Sequence, residues 1–340
     1  MRLVRRDRER ASQPKALRAL VAVTPPIVAA GVKRALVRVG LRTPLTTTAA
    51  DAPAAPGPGE PLLTGCEAPS SSEPSDAAAA SELAEWEYVP EGWERATPGW
   101  DAGTVADAYL DKWAEWVEAL AGPAPLGVYH EAVSGVSIAR EDLGAHNMIL
   151  SFAYVLARAA HGREKLSVLD WGGGLGHYAV VARAVMPEIE LEWHCREVPS
   201  VVQAGELANP MVTFHADDHC LRRTYDLVLA SGSLQYEVDW QSRLRRFAGA
   251  TKGYLLVTRL PIALHAPSFV ILQRAYAYGY ATEYAGWVVS RDELLEVAES
   301  AGLELERELL LDAWLAGIGA PEEPIWHRGF LFRPVAQVSD

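Results

Sequence analysis

The sequence predicts a doubly wound α/β fold, with a mostly parallel seven-stranded sheet and an N-terminal, helical, tryptophan-rich extension. Three observations predict it. From Leu166 onward, short apolar runs alternate with segments of helical periodicity. Several runs are apolar at nearly every position, as in strands covered on both faces. The first run ends in a carboxylate, then a glycine turn, then a helix.

The strands are expected at 167–171 (SVLDW), 190–195 (ELEWHC), 211–216 (MVTFHA), 225–231 (YDLVLAS), 254–260 (YLLVTRL), 303–311 (LELERELLL) and 329–334 (GFLFRP). Helices are expected from Tyr178 to Met186, from Trp240 to about Ala248, and over 291–302, where Gly302 is the stop. Ahead of the sheet, composition changes abruptly at Leu83. Five of the eleven tryptophans fall between Trp86 and Trp116. Val105, Ala106, Tyr109, Leu110, Trp113, Val117 and Leu120 have helical spacing, and a second helix fits His146 to Ala160. Residues 83–160 therefore form a helical, tryptophan-rich cap that packs on the domain of residues 161–336. Within that domain, residues 261–290 are an insertion before the last helix and a candidate acceptor pocket.

The chain has 340 residues, of which 49 % are hydrophobic, and a net charge of −13. No stretch reaches the length of uninterrupted apolar sequence that a membrane-spanning helix needs. Cys66, Cys195 and Cys220 are too few and too scattered for a disulfide scaffold, so a reducing, cytoplasmic setting is expected. Residues 1–42 carry eleven Lys/Arg against Asp7 and Glu9, leaving a strongly acidic remainder. An acidic body repels phosphate backbones and excludes nucleic acid as its ligand. The basic segment 1–42 suits short amphipathic helices on an anionic membrane surface. Residues 43–82, rich in Pro, Ala and Ser, read as a disordered linker.

The chemistry concentrates in Val168-Leu169-Asp170-Trp171-Gly172-Gly173-Gly174-Leu175-Gly176-His177. Glycines let the backbone approach a ligand closely, and the helix start offers unpaired N–H groups. A dinucleotide-binding turn would need a glycine where His177 stands, which disfavours a nicotinamide-dependent oxidoreductase. The motif instead resembles motif I of class I S-adenosylmethionine-dependent methyltransferases. That resemblance implies a cofactor-binding role for Asp170, Gly172, Gly174 and Gly176. Glu197, just past the second strand, matches motif II, and a carboxylate there accepts the ribose hydroxyl protons. Asp217, or its neighbour Asp218, falls where the family contacts the adenine amino group. Ser231 and Gln235, in Ala230-Ser231-Gly232-Ser233-Leu234-Gln235-Tyr236, match motif IV.

With EYVPEGW, GWD, KWAEW, TRLP and the LQ of FVILQR, the match narrows to one bacterial group of such enzymes, often linked to cell-surface polysaccharide or other biosynthetic loci. It covers roughly residues 83–334. The resemblance implies S-adenosylmethionine as cofactor and a small-molecule or saccharide acceptor, with O-methylation first. The alternatives are N-methylation of a biosynthetic intermediate and a non-catalytic module that binds the cofactor. In-line methyl transfer needs positioning and exclusion of water, and a hydroxyl acceptor also needs a base. The base candidates are His265, His177 and Tyr236, and no metal is expected. Tyr276, Tyr278, Tyr280, Tyr284 and Trp287 in the insertion are placed to stack on a sugar or planar ligand.

Overall fold

Strand β2 (Lys165–Trp171) is buried at every position after its first residue. The same holds for all of β5 (Tyr225–Ser231). Continuous apolar runs of this kind fit the middle of a parallel sheet. In the computed structural model, which describes residues 85–94, 96–123, 143–315, 321 and 323–335, they stand side by side there. The basic segment 1–42 and the linker 43–82 lie outside the described residues.

Strands β3 (Glu190–Arg196) and β4 (Thr213–His215) extend the parallel sheet on one side, and β6 (Thr251–Ala263) on the other. β10 (Ile325–Pro334) then pairs antiparallel with β6, and β9 (Leu303–Leu315) antiparallel with β10. These seven strands run in the order β4-β3-β2-β5-β6-β10-β9.

The sheet also holds three strands that the sequence reading did not separate. β7 (Phe269–Arg274) and β8 (Glu283–Ser290) form an antiparallel pair from the insertion, and β1 (Trp86–Tyr88) adds to β7. This ribbon joins the main sheet where β8 pairs in parallel with the end of β6, at Ile262 and Ala263. Among the described residues, the expected seven-stranded sheet is therefore part of a ten-stranded one. The insertion is strand because it has an edge to pair with: β6 runs past the end of β5 and exposes its last residues.

Two apolar layers close the faces. On one, α2 (Leu143–Ala160) and α3 (His177–Val185) pack Phe152, Leu156 and Tyr178 against Val168 and Leu229. On the other, α5 (Trp240–Ala250) and α6 (Arg291–Ser300) pack Trp240, Phe247 and Leu294 against Leu169, Val228 and Leu255. Helix α1 (Gly103–Ala119) sends Trp116 into the first layer, while its Val105 and Tyr109 join Leu175 and Tyr280 in a separate cluster. That cluster includes Val201 of α4 (Pro199–Ala208), a helix that starts with proline at its first position. Among the described residues, no helix is long and apolar enough to cross a membrane.

Both neighbours of β10 are irregular at one level. On β6, Thr258 and Arg259 stand opposite the single residue Gly329, and Arg259 has a positive φ of 55°. On β9, the register shifts between His327 and Arg328, where Asp312 has a φ of 57°. Bulges of this kind bend a strand and re-aim its side chains.

Candidate active site

At the end of β2 the chain turns through Gly172, whose N–H donates to the Arg196 carbonyl (2.9 Å). Its φ is +70°, and a Cβ would fall 2.5 Å from Ser233 Cβ, so a side chain is excluded twice. At Gly173 a Cβ would stand 2.4 Å from the Asp170 carboxyl carbon. The turn thus sits directly on that carboxyl group. Asp170 is fully buried, and neither of its oxygens has a hydrogen-bond partner among the described residues. Burial pushes its carboxyl up to about 8; the adjacent Trp193 indole opposes this and the Glu197 carboxylate reinforces it.

Glu197 follows β3 by one residue, and its carboxylate is held at both oxygens. Oε1 accepts from the Gly174 N–H (2.8 Å) and Oε2 from the Val198 N–H (2.9 Å). Burial pushes its pKa up, and these two N–H groups pull it down. Each carboxylate oxygen accepts more than one hydrogen bond, so acceptor capacity remains toward the cavity that Glu197 lines.

That cavity has a volume of about 630 Å³. Gly172, Glu197, Ser231, Gly232 and Gln235 line one part of it. Tyr178 Oη and Ser231 Oγ lie 2.8 Å apart, while Gln235 Oε1 is buried with no partner among the described residues. An aromatic wall lines another part. Trp100 stacks on Tyr284 (centroids 4.1 Å, 23°), and Tyr236 meets both rings edge-on at 5.0 and 5.1 Å. Tyr236 Oη donates to Gln273 Oε1 (3.0 Å), and Gln273 Nε2 in turn donates to Glu85 (3.0 Å). The remaining lining includes Arg259, Tyr278 and Tyr280, with His327 of β10.

This is the Rossmann-like class I methyltransferase fold. Its seven-strand order, antiparallel β10, glycine turn and carboxylate after β3 together identify it. No family model and no curated protein matches the chain. Solved structures that align with it include the 1,6-didemethyltoxoflavin-N1-methyltransferase of Burkholderia thailandensis, holding 1,6-didemethyltoxoflavin and S-adenosylhomocysteine. That chain is 14 % identical, with 74 % of this chain and 100 % of that one covered at a TM-score of 0.40. The magnesium protoporphyrin IX methyltransferase of Synechocystis PCC 6803, with bound S-adenosylhomocysteine, is 12 % identical (67 % and 97 % covered, TM-score 0.40). An S-adenosylmethionine-dependent methyltransferase of Clostridium acetobutylicum is 10 % identical (61 % and 96 %, TM-score 0.39).

On this methyltransferase fold, the sequence-derived residues separate into two groups. Gly172, Glu197, Ser231, Gln235 and Tyr236 line the cavity, and Gly174 and Gly176 shape the turn beside it. Asp170 lies beneath the turn and does not line the cavity. Asp217 is away from it too: its Oδ1 accepts from the His219 N–H (3.0 Å), capping a 3-10 turn. Asp218 pairs with Arg243 and Arg246 and is likewise outside.

His265 is exposed and does not reach the cavity, because the carboxylate of Glu323 accepts from the N–H groups of residues 264–266 and anchors that loop. His177 is enclosed by Tyr109, Trp113 and Trp116 behind the turn, and burial pushes its imidazole down to about 4. It is a packing residue of α3, not a cavity residue. Burial also raises the pKa of Tyr236, which keeps its hydroxyl a donor at neutral pH. Of the stacking candidates, Tyr278, Tyr280 and Tyr284 line the cavity, whereas Tyr276 and Trp287 do not.

Sequence reading missed Arg259 and His327. Arg259 carried a signal, since it is a lone charge in the apolar run YLLVTRLPIA. His327 Nδ1 is buried with no partner among the described residues. Burial and then the Arg259 charge push its imidazole down to about 4, so it stands neutral in the cavity wall at pH 7.

Proposed function

We propose that the protein is an S-adenosylmethionine-dependent methyltransferase that methylates a hydroxyl of a small-molecule or saccharide-type acceptor. One observation carries the reading. The Glu197 carboxylate, clamped by two backbone N–H groups beside a glycine turn, faces the cavity with acceptor capacity to spare. A vicinal diol such as a ribose answers that arrangement, with each hydroxyl donating to one oxygen.

The residues fit such a cofactor on further grounds. Gly172 leaves an opening that a Cβ would close against Ser233. Gln235 brings a buried acceptor without a partner among the described residues to the same wall. When bound, the cofactor supplies an electrophilic methyl group on a positively charged sulfur. The chain's own work is then to orient and to exclude water. Trp100, Tyr236 and Tyr284 form a wall whose rings already pack on each other. His327, which lines the cavity and stands neutral, is the group offered as base for the acceptor's hydroxyl proton.

The test is incubation with methyl-labelled S-adenosylmethionine and fractionated extract of the source cells. Label in a small organic product, dependent on the intact protein and reduced in Glu197→Ala, supports the reading. Tight cofactor binding with no label transferred to any fraction would leave a binding module instead.

A further inference from the structure

A chain of hydrogen bonds runs along the aromatic wall of the cavity and ends on one carboxylate. Strand β1 pairs Trp86 with Gln273, and the Glu85 carbonyl accepts from the Arg274 N–H (2.8 Å), which sets Glu85 beside β7. Glu85 Oε1 accepts from Gln273 Nε2 (3.0 Å) and from Tyr278 Oη (3.2 Å). Gln273 Oε1 in turn accepts from Tyr236 Oη (3.0 Å). All four side chains line the cavity.

The direction of every bond in this chain follows from its end. A carboxylate only accepts, so Gln273 turns its amide NH2 and Tyr278 its hydroxyl toward Glu85. The amide oxygen then faces Tyr236, which must donate to it. Burial raises the pKa of both phenols, that of Tyr278 to about 12, so each keeps its proton at neutral pH. Gln273 carries two donor protons and each tyrosine one, and three of these four are spent inside the wall. What remains here is mainly acceptor capacity. Glu85 Oε2 makes no hydrogen bond among the described residues, and Tyr278 Oη retains a lone pair.

We propose that Glu85 is a specificity-determining residue of the acceptor site, and that the acceptor is a ring carrying a further hydroxyl, beside the methylated one, that donates to Glu85 Oε2. This rests on the methyltransferase reading and narrows the class of its acceptor. A ring without that hydroxyl would displace water from Oε2 and offer no donor in return, which is how a site built on hydrogen bonds rejects a deoxy analogue. A ligand carboxylate or phosphate would meet acceptors where it needs donors. The groups that already hold Glu85, an amide N–H and a phenol O–H, are neutral donors, and a ligand hydroxyl completes the same set. The ring belongs against Trp100, Tyr236 and Tyr284, which offer flat faces to an aromatic ring and to the C–H face of a sugar alike.

The experiment is calorimetric titration of the full chain, saturated with S-adenosylhomocysteine, with two matched pairs: catechol against phenol, and glucose against tetrahydropyran-2-methanol. In one pair the more hydroxylated ring is expected to bind at least about ten-fold more tightly, the size of a hydrogen bond to a charged group. The pair that shows the difference tells an aromatic acceptor from a saccharide one. Glu85→Gln should abolish the preference, because its oxygen stays with Gln273 and Tyr278 and its NH2 group faces the ligand. Tyr278→Phe, which leaves the carboxylate in place, should keep it. Retained binding of S-adenosylhomocysteine by both variants shows that each is folded. Equal binding within both pairs, no binding of either hydroxylated ring, or a preference that survives Glu85→Gln would overturn the proposal. So would its loss in Tyr278→Phe, or tighter binding of benzylamine than of catechol and glucose. Failure of the native chain to bind S-adenosylhomocysteine at all would instead strike the methyltransferase reading beneath it.

Discussion

Replacing Asp170 with asparagine keeps the shape of a buried side chain and removes its titration. The carboxyl group lies under Gly173 with no hydrogen-bond partner among the described residues, and burial pushes it up to about 8. An aspartate in the unfolded chain ionises near 3.9, about four units lower, and each unit corresponds to ~1.4 kcal/mol. Between those values the native protein binds a proton that the unfolded chain has lost. Stability must therefore fall as pH rises through that window. The total reaches about 5 kcal/mol by pH 8, in order of magnitude.

Other groups confine the useful range. His177 and His327 are both held near 4, so they act in the opposite sense, but only below the unfolded histidine value of about 6.5. Asp218, Asp226, Glu192, Glu308 and Glu323 are all shifted down, so their contributions are complete by about pH 5. From pH 6.5 to 8 Asp170 should account for ~2 kcal/mol of lost stability, while Glu197, also raised by burial, acts in the same sense in both proteins, so Asp170→Asn should lose ~2 kcal/mol less than the native protein. Urea unfolding at half-unit steps measures both. Parallel stability curves for the two proteins would refute the assignment of a protonated carboxyl beneath the turn.

Two further substitutions probe the same region. Gly173→Ala places a methyl group 2.4 Å from the Asp170 carboxyl carbon. It should cost about 1–3 kcal/mol of stability by chemical denaturation, as overpacking does, and a neutral result would mean that the turn is looser than described. His327→Gln should lower turnover by about 10²–10⁴-fold, as loss of a base does, without changing affinity for S-adenosylhomocysteine. His265→Ala, on an exposed loop, should leave turnover unchanged. Because His327 is held near 4, the acid limb of the native pH–rate profile should fall near pH 4. A limb near 6.5, or full turnover in His327→Gln, would place the base elsewhere.

The legible parts of the fold were those written in local sequence. Asp170, the glycines and the start of α3 are consecutive, and Glu197 follows the next strand in register, so chain order alone places them around one turn. The place of Asp217 outside the cavity lining is hidden for a different reason. Asp217 has the right position in the chain, but its side chain caps the following 3-10 turn. The position of His265 outside the cavity follows from the anchoring of its loop by Glu323, 58 residues away, a contact no local pattern announces. The bulge at Arg259 arises from pairing with β10, some 70 residues later in the chain, so neither its left-handed backbone nor its aim could be read from YLLVTRL. The ribbon of β7 and β8 was hidden similarly, since it forms only because β6 outruns β5. Helix α4 is the exception: Pro199 at its first position is a start signal in the local sequence.

The measurement to make is a calorimetric titration of the native protein and Glu197→Ala with S-adenosylhomocysteine, with NAD run alongside. Native binding should be tight and the variant weaker by about 1–3 kcal/mol, roughly 5–150-fold, as for lost hydrogen bonds to a charged group. NAD should not bind. Equal affinity in the two proteins, or no binding by a demonstrably folded native chain, would contradict the placement of the cofactor on Glu197 and the glycine turn.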